Sequence, residues 1–376
     1  MTEASGSLTE NEWIVSTSPH IRSSETTSKI MWQVVLALIP AGAWGVYRFG
    51  AAALWVVALS VAAAVVTEAL IQYLAKKPIT IRDGSAVVTG LLLAYVLPSH
   101  GVREGQLTLL PWYVPVVGAF VAIAIAKHCF GGLGQNVWNP ALVGRAFVQV
   151  SFPTLVTLSQ WPAPWREGDA LTQATALAKE TTTDYRILDL FLGRCPGCIG
   201  EVSALLLLVG GIYLMLRKYV DWRMVTAYLG AVVLLTALVP AKPDTAWAED
   251  PAYAQKRIAA EADKTADDEQ APEAEEKTDE TYPWLANRDR FELILYHLFA
   301  GGLMLGALYM ASDMVTSPLV PKGQIIFGLG CGALTVLIRF RAGLPEGVCY
   351  AILLMNTARP LIDRHTRPRI LGERRS

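Results

Sequence analysis

The heptad Asp169-Ala170-Leu171-Thr172-Gln173-Ala174-Thr175 fits the short pattern Asp-x-x-Ser/Thr-x-Ala-Thr. On that pattern certain bacterial membrane proteins carry a flavin, esterified through its phosphate to the last threonine. A threonine hydroxyl is a poor nucleophile and needs activation. A fixed local sequence around a solvent-reachable Thr175 is therefore what such a modification requires. With the flavin in place the protein would move electrons. Without it the chain reads as a transporter-like membrane bundle.

Other groups of chemical interest are sparse. The run 131–140, Gly-Gly-Leu-Gly-Gln-Asn-Val-Trp-Asn-Pro, is dense in turn residues and ends where a helix could begin. It reads either as a helix start offering N–H groups to an anion or flavin carbonyl, or as a tight turn that lets two helices pack. Arg145, Glu201, Asp313 and Glu346 are ionisable groups at or near membrane depth, where a charge usually has a reason. Snorkelling accounts for Arg145 taken singly, and complementarity to a helix N-terminus for Glu201 and Glu346. As a set they mark helix ends where a cation or redox site could sit. Among five cysteines only Cys195-Pro196-Gly197-Cys198 has a recognisable spacing. In an outer loop it is expected as a disulfide or a pair of thiols, since a metal site would want a second pair. The five histidines lack metal-ligand spacing, and no nucleotide loop or nucleophile elbow occurs. No catalytic side chain, metal centre or nucleic-acid partner is expected.

The elements that position these groups are membrane spans. Of the 376 residues 53% are hydrophobic and only 17% charged, below the usual share of about 25%. About ten candidate spans follow, at 30–48, 51–75, 85–97, 109–127, 137–158, 202–217, 222–240, 292–311, 323–340 and 345–362. The third is too short to cross unaided, and the fifth opens on Asn139-Pro140 and contains Arg145. Both are expected as broken or mid-membrane helices, which survive only against protein or a water-filled cavity. The fold class expected is an all-α integral membrane protein with two inverted five-helix halves, an arrangement common in transporters.

Lysine and arginine bias the short loops. Lys76, Lys77, Arg82, Lys127, Arg217, Lys218, Arg223 and Lys322 would lie inside, with a basic tail at 363–376. Both termini would then be cytoplasmic and the heptad periplasmic, in a multi-pass protein of the bacterial inner membrane. The first 29 residues are polar, so the first span is expected to act as an uncleaved signal anchor. The membrane halves would be 30–158, then 202–240 with 292–362, separated by the loop 159–201. A second loop, 241–291, is acidic and poor in aromatics, and disorder is expected there.

Several stretches together resemble a known family. They are Asp83-Gly84-Ser85-Ala86-Val87-Val88-Thr89-Gly90, the 131–140 run, Gly200-Glu201-Val202-Ser203, the run 316–323 (Thr-Ser-Pro-Leu-Val-Pro-Lys-Gly) and Pro345-Glu346-Gly347. Over nearly its whole length the chain is similar to the D subunit of Rnf electron-transport complexes. That subunit is related to the B subunit of sodium-pumping NADH:quinone oxidoreductase. The Ser18-Pro19-His20 start and the 316–323 run look more like the Rnf member.

The resemblance implies FMN on Thr175, with Asp169, Thr172 and Ala174 as recognition positions for a flavin transferase. It also implies a second, non-covalent flavin, riboflavin, whose residues the sequence does not assign. The implied activity is that of a subunit in a complex that couples ferredoxin and NAD redox chemistry to sodium or proton movement. Its partners would be the other membrane, iron–sulfur and flavin subunits, with lipid around the spans. The alternatives are the quinone-reductase B subunit and a non-redox inverted-repeat transporter. Two departures stand out. The family's Pro-Leu-Ala after the acceptor is Ala176-Leu177-Ala178 here, as in the quinone-reductase relative, and Cys198 replaces a common serine.

Overall fold

The computed structural model describes residues 25–103, 106–156, 186–195, 197–201, 203–238, 290–341 and 347–367. Each expected span contains a helix. Two long ones open the chain, α1 (Thr27–Phe49) and α2 (Ala51–Leu74). At 1.5 Å per residue each is long enough to cross a hydrocarbon core of about 30 Å. The Thr26 side chain caps α1 by accepting from the Lys29 N–H, and Gly50, at φ 71°, turns the chain into α2. Leu54, Trp55, Val66 and Leu70 of α2 are exposed, as a lipid-facing surface requires.

The third helix, α3 (Ser85–Tyr95), has only 11 residues and hands over to a small hairpin, β1 (His100–Arg103) with β2 (Gln106–Leu109). Next, α4 (Tyr113–Phe120) runs on as a wider π-helical turn through His128. The expected 137–158 span is broken into α5 (Pro140–Ser151) and the short α6 (Pro153–Val156). A short α7 (Ile187–Leu192) leads into the second half.

That half comprises α8 (Ala204–Leu216), α9 (Trp222–Leu238), α10 (Arg290–Phe299), α11 (Leu303–Leu305), α12 (Pro321–Arg341) and α13 (Val348–Thr366). A π-helical turn at Gly306–Met310 extends α11, and the chain bends by 63° between α10 and α11. Among the described residues only α1, α2 and α12 are both long and apolar enough to cross a membrane alone, with the bent α10–α11 pair as a fourth. Among the described residues, helix therefore occupies each of the ten expected stretches, but only three or four of them are long enough to cross alone. Several are short because the chain breaks inside the bundle, where neighbouring backbone takes up the freed polar groups.

The halves meet along α1 and α8, which run in opposite directions. Tyr219, just past α8, donates to Glu25 at the start of α1; Tyr213 donates to Gln33; and Gly210 abuts the Ala37 carbonyl. Matching tyrosines bind each half to this seam. Tyr95, at the end of α3, donates to the Leu38 carbonyl at 2.8 Å, and Tyr309 of the second half donates to Leu207 at 3.1 Å. Small residues let the other helices close up. A Cβ on Gly144 would lie 2.6 Å from the Gly118 carbonyl, and one on Gly332 2.8 Å from that of Tyr228.

Candidate functional site

At the end of the bundle that carries Lys76 and Lys77, a cavity opens between the halves. Its own volume is about 100 Å³, and about 800 Å³ with the open space at its mouth included. The starts of α1 and α3, the end of α4 and the 131–140 turn supply one side. The end of α8 and the connection after Met310 supply the other. Val34, Val88, Leu92 and Leu308 give apolar walls, and Ser85, Lys127, Asn136, Asn139, Ser312 and Asp313 bring polar atoms to the same space.

Lys127 occupies the π-helical turn of α4, and its side chain is only 2% exposed. Its ammonium donates to both carboxylate oxygens of Glu68 on α2, at 2.9 and 2.7 Å, and to Ser85 Oγ at 2.7 Å. Ser85 in turn donates from both its hydroxyl and its backbone N–H to Asp83. Gln72 donates to Glu68 and to Thr80, so the pair is tied back to the 76–84 loop on both sides. Gly84, in the left-handed region at φ 80°, is what turns Asp83 back onto the first N–H of α3.

The opposite wall is built by the Asn-Pro run. Asn139 Oδ1 accepts from the N–H groups of Ala141 and Leu142, and its Nδ2 donates to the carbonyl of Met310 at 3.1 Å. The helix start is thus capped by its own asparagine. The expected alternative of free N–H groups facing an anion loses two of its donors to that cap. The Gly-rich turn instead works as geometry, with φ values of 120° at Gly131, 106° at Gly132 and 89° at Gly134. Asp313, in the connection between α11 and α12, accepts from Thr316 Oγ1 at 3.1 Å and from the Val315 N–H at 3.4 Å. Burial raises its carboxyl above the ordinary range, partly offset by these donors, by Asn136 and by Arg359.

At the other end of the bundle, the segment from Cys195 to Glu201 folds inward against the end of α3. The N–H groups of Ile199 and Gly200 donate to the carbonyls of Leu97 and Tyr95, and the Cys198 thiol donates to Val96. Cys195 and Cys198 are both buried and both in the thiol form. Burial pushes the Cys195 thiol up to about 12. Nearby, the Arg339 guanidinium donates to the carbonyls of His297 and Ala300, released where α10 bends away from α11. Glu201 lies against Gly302, where a Cβ would come within 2.5 Å of its carboxylate.

Of the residues singled out in the sequence, Asp169, Thr172, Ala174 and Thr175 lie outside the described residues, as do Glu346 and the acidic loop. Arg145 is buried within α5 rather than snorkelling, at 1% exposure. Lys127 was expected in a cytoplasmic loop and is instead enclosed on a helix. Its partner Glu68, 59 positions earlier, carried no sequence signal beyond being the one acidic residue of an apolar helix. Nothing local in the chain links the two.

The sequence model described as the NQR2, RnfD, RnfE family matches residues 14–372. Relatives of similar length agree. The chain is 42% identical to the D subunit of the proton-translocating ferredoxin:NAD(+) oxidoreductase complex of Clostridium ljungdahlii, over 99% of this chain and 100% of that one. It is 42% identical to the D subunit of the Na(+)-translocating ferredoxin:NAD(+) oxidoreductase complex of Acetobacterium woodii, over 97% of each. It is 35% identical to the D subunit of the ion-translocating oxidoreductase complex of Stutzerimonas stutzeri, over 94% and 93%. With a match over residues 14–372 and relatives 42% identical over nearly the whole chain, the chain belongs to the NQR2, RnfD, RnfE family of membrane proteins.

Proposed function

We propose that this chain is the D subunit of an ion-translocating ferredoxin:NAD oxidoreductase complex. In this reading it carries FMN on Thr175 and a second, non-covalent flavin, riboflavin, in the cavity between its halves. The observation that carries the reading is the cavity itself, where both halves converge on a space with apolar faces and a polar rim. A three-ring isoalloxazine has flat apolar faces and a polar edge of carbonyls and ring nitrogens. The apolar side chains of Val34, Val88, Leu92 and Leu308 suit the faces. Ser85, Lys127 and Asn136, with the donors of Ser85 and Lys127 already committed within the wall, give the edge a polar surrounding. Bound there, a flavin would supply one- and two-electron transfer.

The protein's own part is to exclude water, orient the ring and set the charge around it. The lysine and arginine bias of the short loops supports both termini on the cytoplasmic side of the inner membrane, with the cavity facing the cytoplasm and Thr175 the periplasm. Partners in this reading are the other membrane, iron–sulfur and flavin subunits, a flavin transferase for maturation, and lipid around the spans. Ion coupling requires two conformations that differ in ion affinity. The antiparallel α1–α8 seam is where the halves would shift relative to each other. The sequence Ala176-Leu177-Ala178 favours, as a second reading, the quinone-reductase B subunit. Assays of the purified complex with ferredoxin and NAD, against NADH and quinone, separate the two.

The test of the covalent flavin is a denaturing gel viewed under ultraviolet light, from a host that expresses the transferase. Fluorescence in the wild type that disappears in Thr175→Ala is the expected result. A dark wild-type band overturns the covalent-flavin reading.

A further inference from the structure

We propose that Lys127 is a fixed cation that sets the redox preference of the group bound in the cavity, and that Glu68 is the counter-charge that moderates it. The inference rests on the reading of the cavity as a flavin site and assigns the residues that tune it. Lys127 reaches the cavity wall while its ammonium is enclosed by protein. Its donors are directed to Glu68 and Ser85 at 2.7 to 2.9 Å, so the charge is held in place rather than carried on a mobile side chain.

The tether is itself anchored. Glu68 accepts from Gln72, Gln72 donates to Thr80, and Ser85 is fixed by Asp83. His128 stands 3.9 Å from Glu68, Lys77 acts on His128, and Asp83 is joined to the pair through Ser85, so these are the further titratable neighbours. The π-helical turn at Val121–His128 places Lys127 toward α2 and α3; such turns recur at functional sites. A pair needed only for packing would be replaceable by apolar residues, and burying ions is costly. Its position on a cavity wall gives it a second consequence. A negative charge entering the cavity is stabilised by Lys127 and opposed by Glu68. No bond in this chain forms or breaks, and the electrons come from and return to one-electron carriers of the neighbouring subunits.

The sign of the effect is what makes the inference testable. A fixed charge a few ångströms away, at the effective dielectric of a partly buried site, changes an equilibrium by about tenfold or more. The experiment strips the non-covalent flavin from the whole purified complex and rebinds riboflavin anaerobically, oxidised or dithionite-reduced. Lys127→Met is expected to weaken reduced riboflavin relative to oxidised by about tenfold, or ~30 mV for a two-electron couple. Glu68→Gln is expected to shift the ratio the opposite way. Lys127→Arg and the double variant Glu68→Gln/Lys127→Met, which restore charge or remove both charges, are expected to lie near the wild type.

Wild-type binding with an unchanged ratio in both single variants overturns the inference and leaves the cavity reading intact. An equal loss of both oxidation states in Lys127→Met, or a shift of the same sign in both single variants, also overturns it, because either marks a structural role. If the wild type binds riboflavin in neither state, the cavity reading itself falls, and the inference with it.

Discussion

Gly42 and Tyr95 meet more closely than any added atom allows, and the consequence can be worked out. A Cβ built on Gly42 would sit 1.9 Å from the Tyr95 hydroxyl oxygen and 2.7 Å from ring carbon Cζ. The ring cannot retreat, because its other side packs on Gly200, where a Cβ would lie 2.3 Å from Tyr95 Cβ. Gly42→Ala therefore drives the hydroxyl off the Leu38 carbonyl and crowds a side chain that is 1% exposed. Overpacking of this kind costs about 1–3 kcal/mol, and the lost hydrogen bond about 1 kcal/mol more. Tyr95→Phe alone forfeits only the hydrogen bond, about 1 kcal/mol, since Leu38 lies within α1 and its carbonyl has the helix's own ladder.

The double variant removes the atom that clashes worst. It should lose no more than Gly42→Ala by itself, because the 1.9 Å contact is gone, although the remaining 2.7 Å approach still forces the ring to move. The assay is the thermal unfolding midpoint of the three variants in one detergent. If the double variant is less stable than Gly42→Ala, with the two losses adding, then Tyr95 does not pack on Gly42 and the α1–α3 seam is wrongly described.

Two further outcomes follow from burial and charge. Cys195 and Cys198 are buried, with the Cys195 thiol raised to about 12, whereas Cys129 is exposed. Maleimide at neutral pH, read by mass spectrometry, should label Cys129 in the folded protein and reach the other two only after unfolding. Rapid labelling of Cys195 in the native protein contradicts the inward-folded segment. Asp313 has its carboxyl raised by burial, so the folded state holds its proton to higher pH than the unfolded chain. Its contribution to stability is then present at acid pH and is lost as pH rises from the ordinary carboxylate range through the raised value. Asp313→Asn should flatten that part of the stability–pH curve; an unchanged slope refutes the assignment.

Among the described residues, composition and apolar run length were enough to place the long apolar helices to within a few residues, because in lipid the backbone has few ways to satisfy itself and must form helix wherever it crosses. The Asn-Pro and Gly punctuation likewise located the turn before α5, since proline and positive-φ glycine restrict the backbone locally. Family membership was legible too, from motifs spread along the chain. What the sequence left open was how those pieces are used. The 131–140 turn read equally as an anion site or a packing device. Only the folded chain shows Asn139 capping its own helix and reaching across to Met310. Lys127 read as a loop charge, and it became a buried wall of the cavity because Glu68, on another helix, waits at its height in the bundle. Periodicity and motif depend on neighbours in the chain. A cavity and an ion pair depend on which helices end side by side, and that distance is set by the packing of the whole bundle.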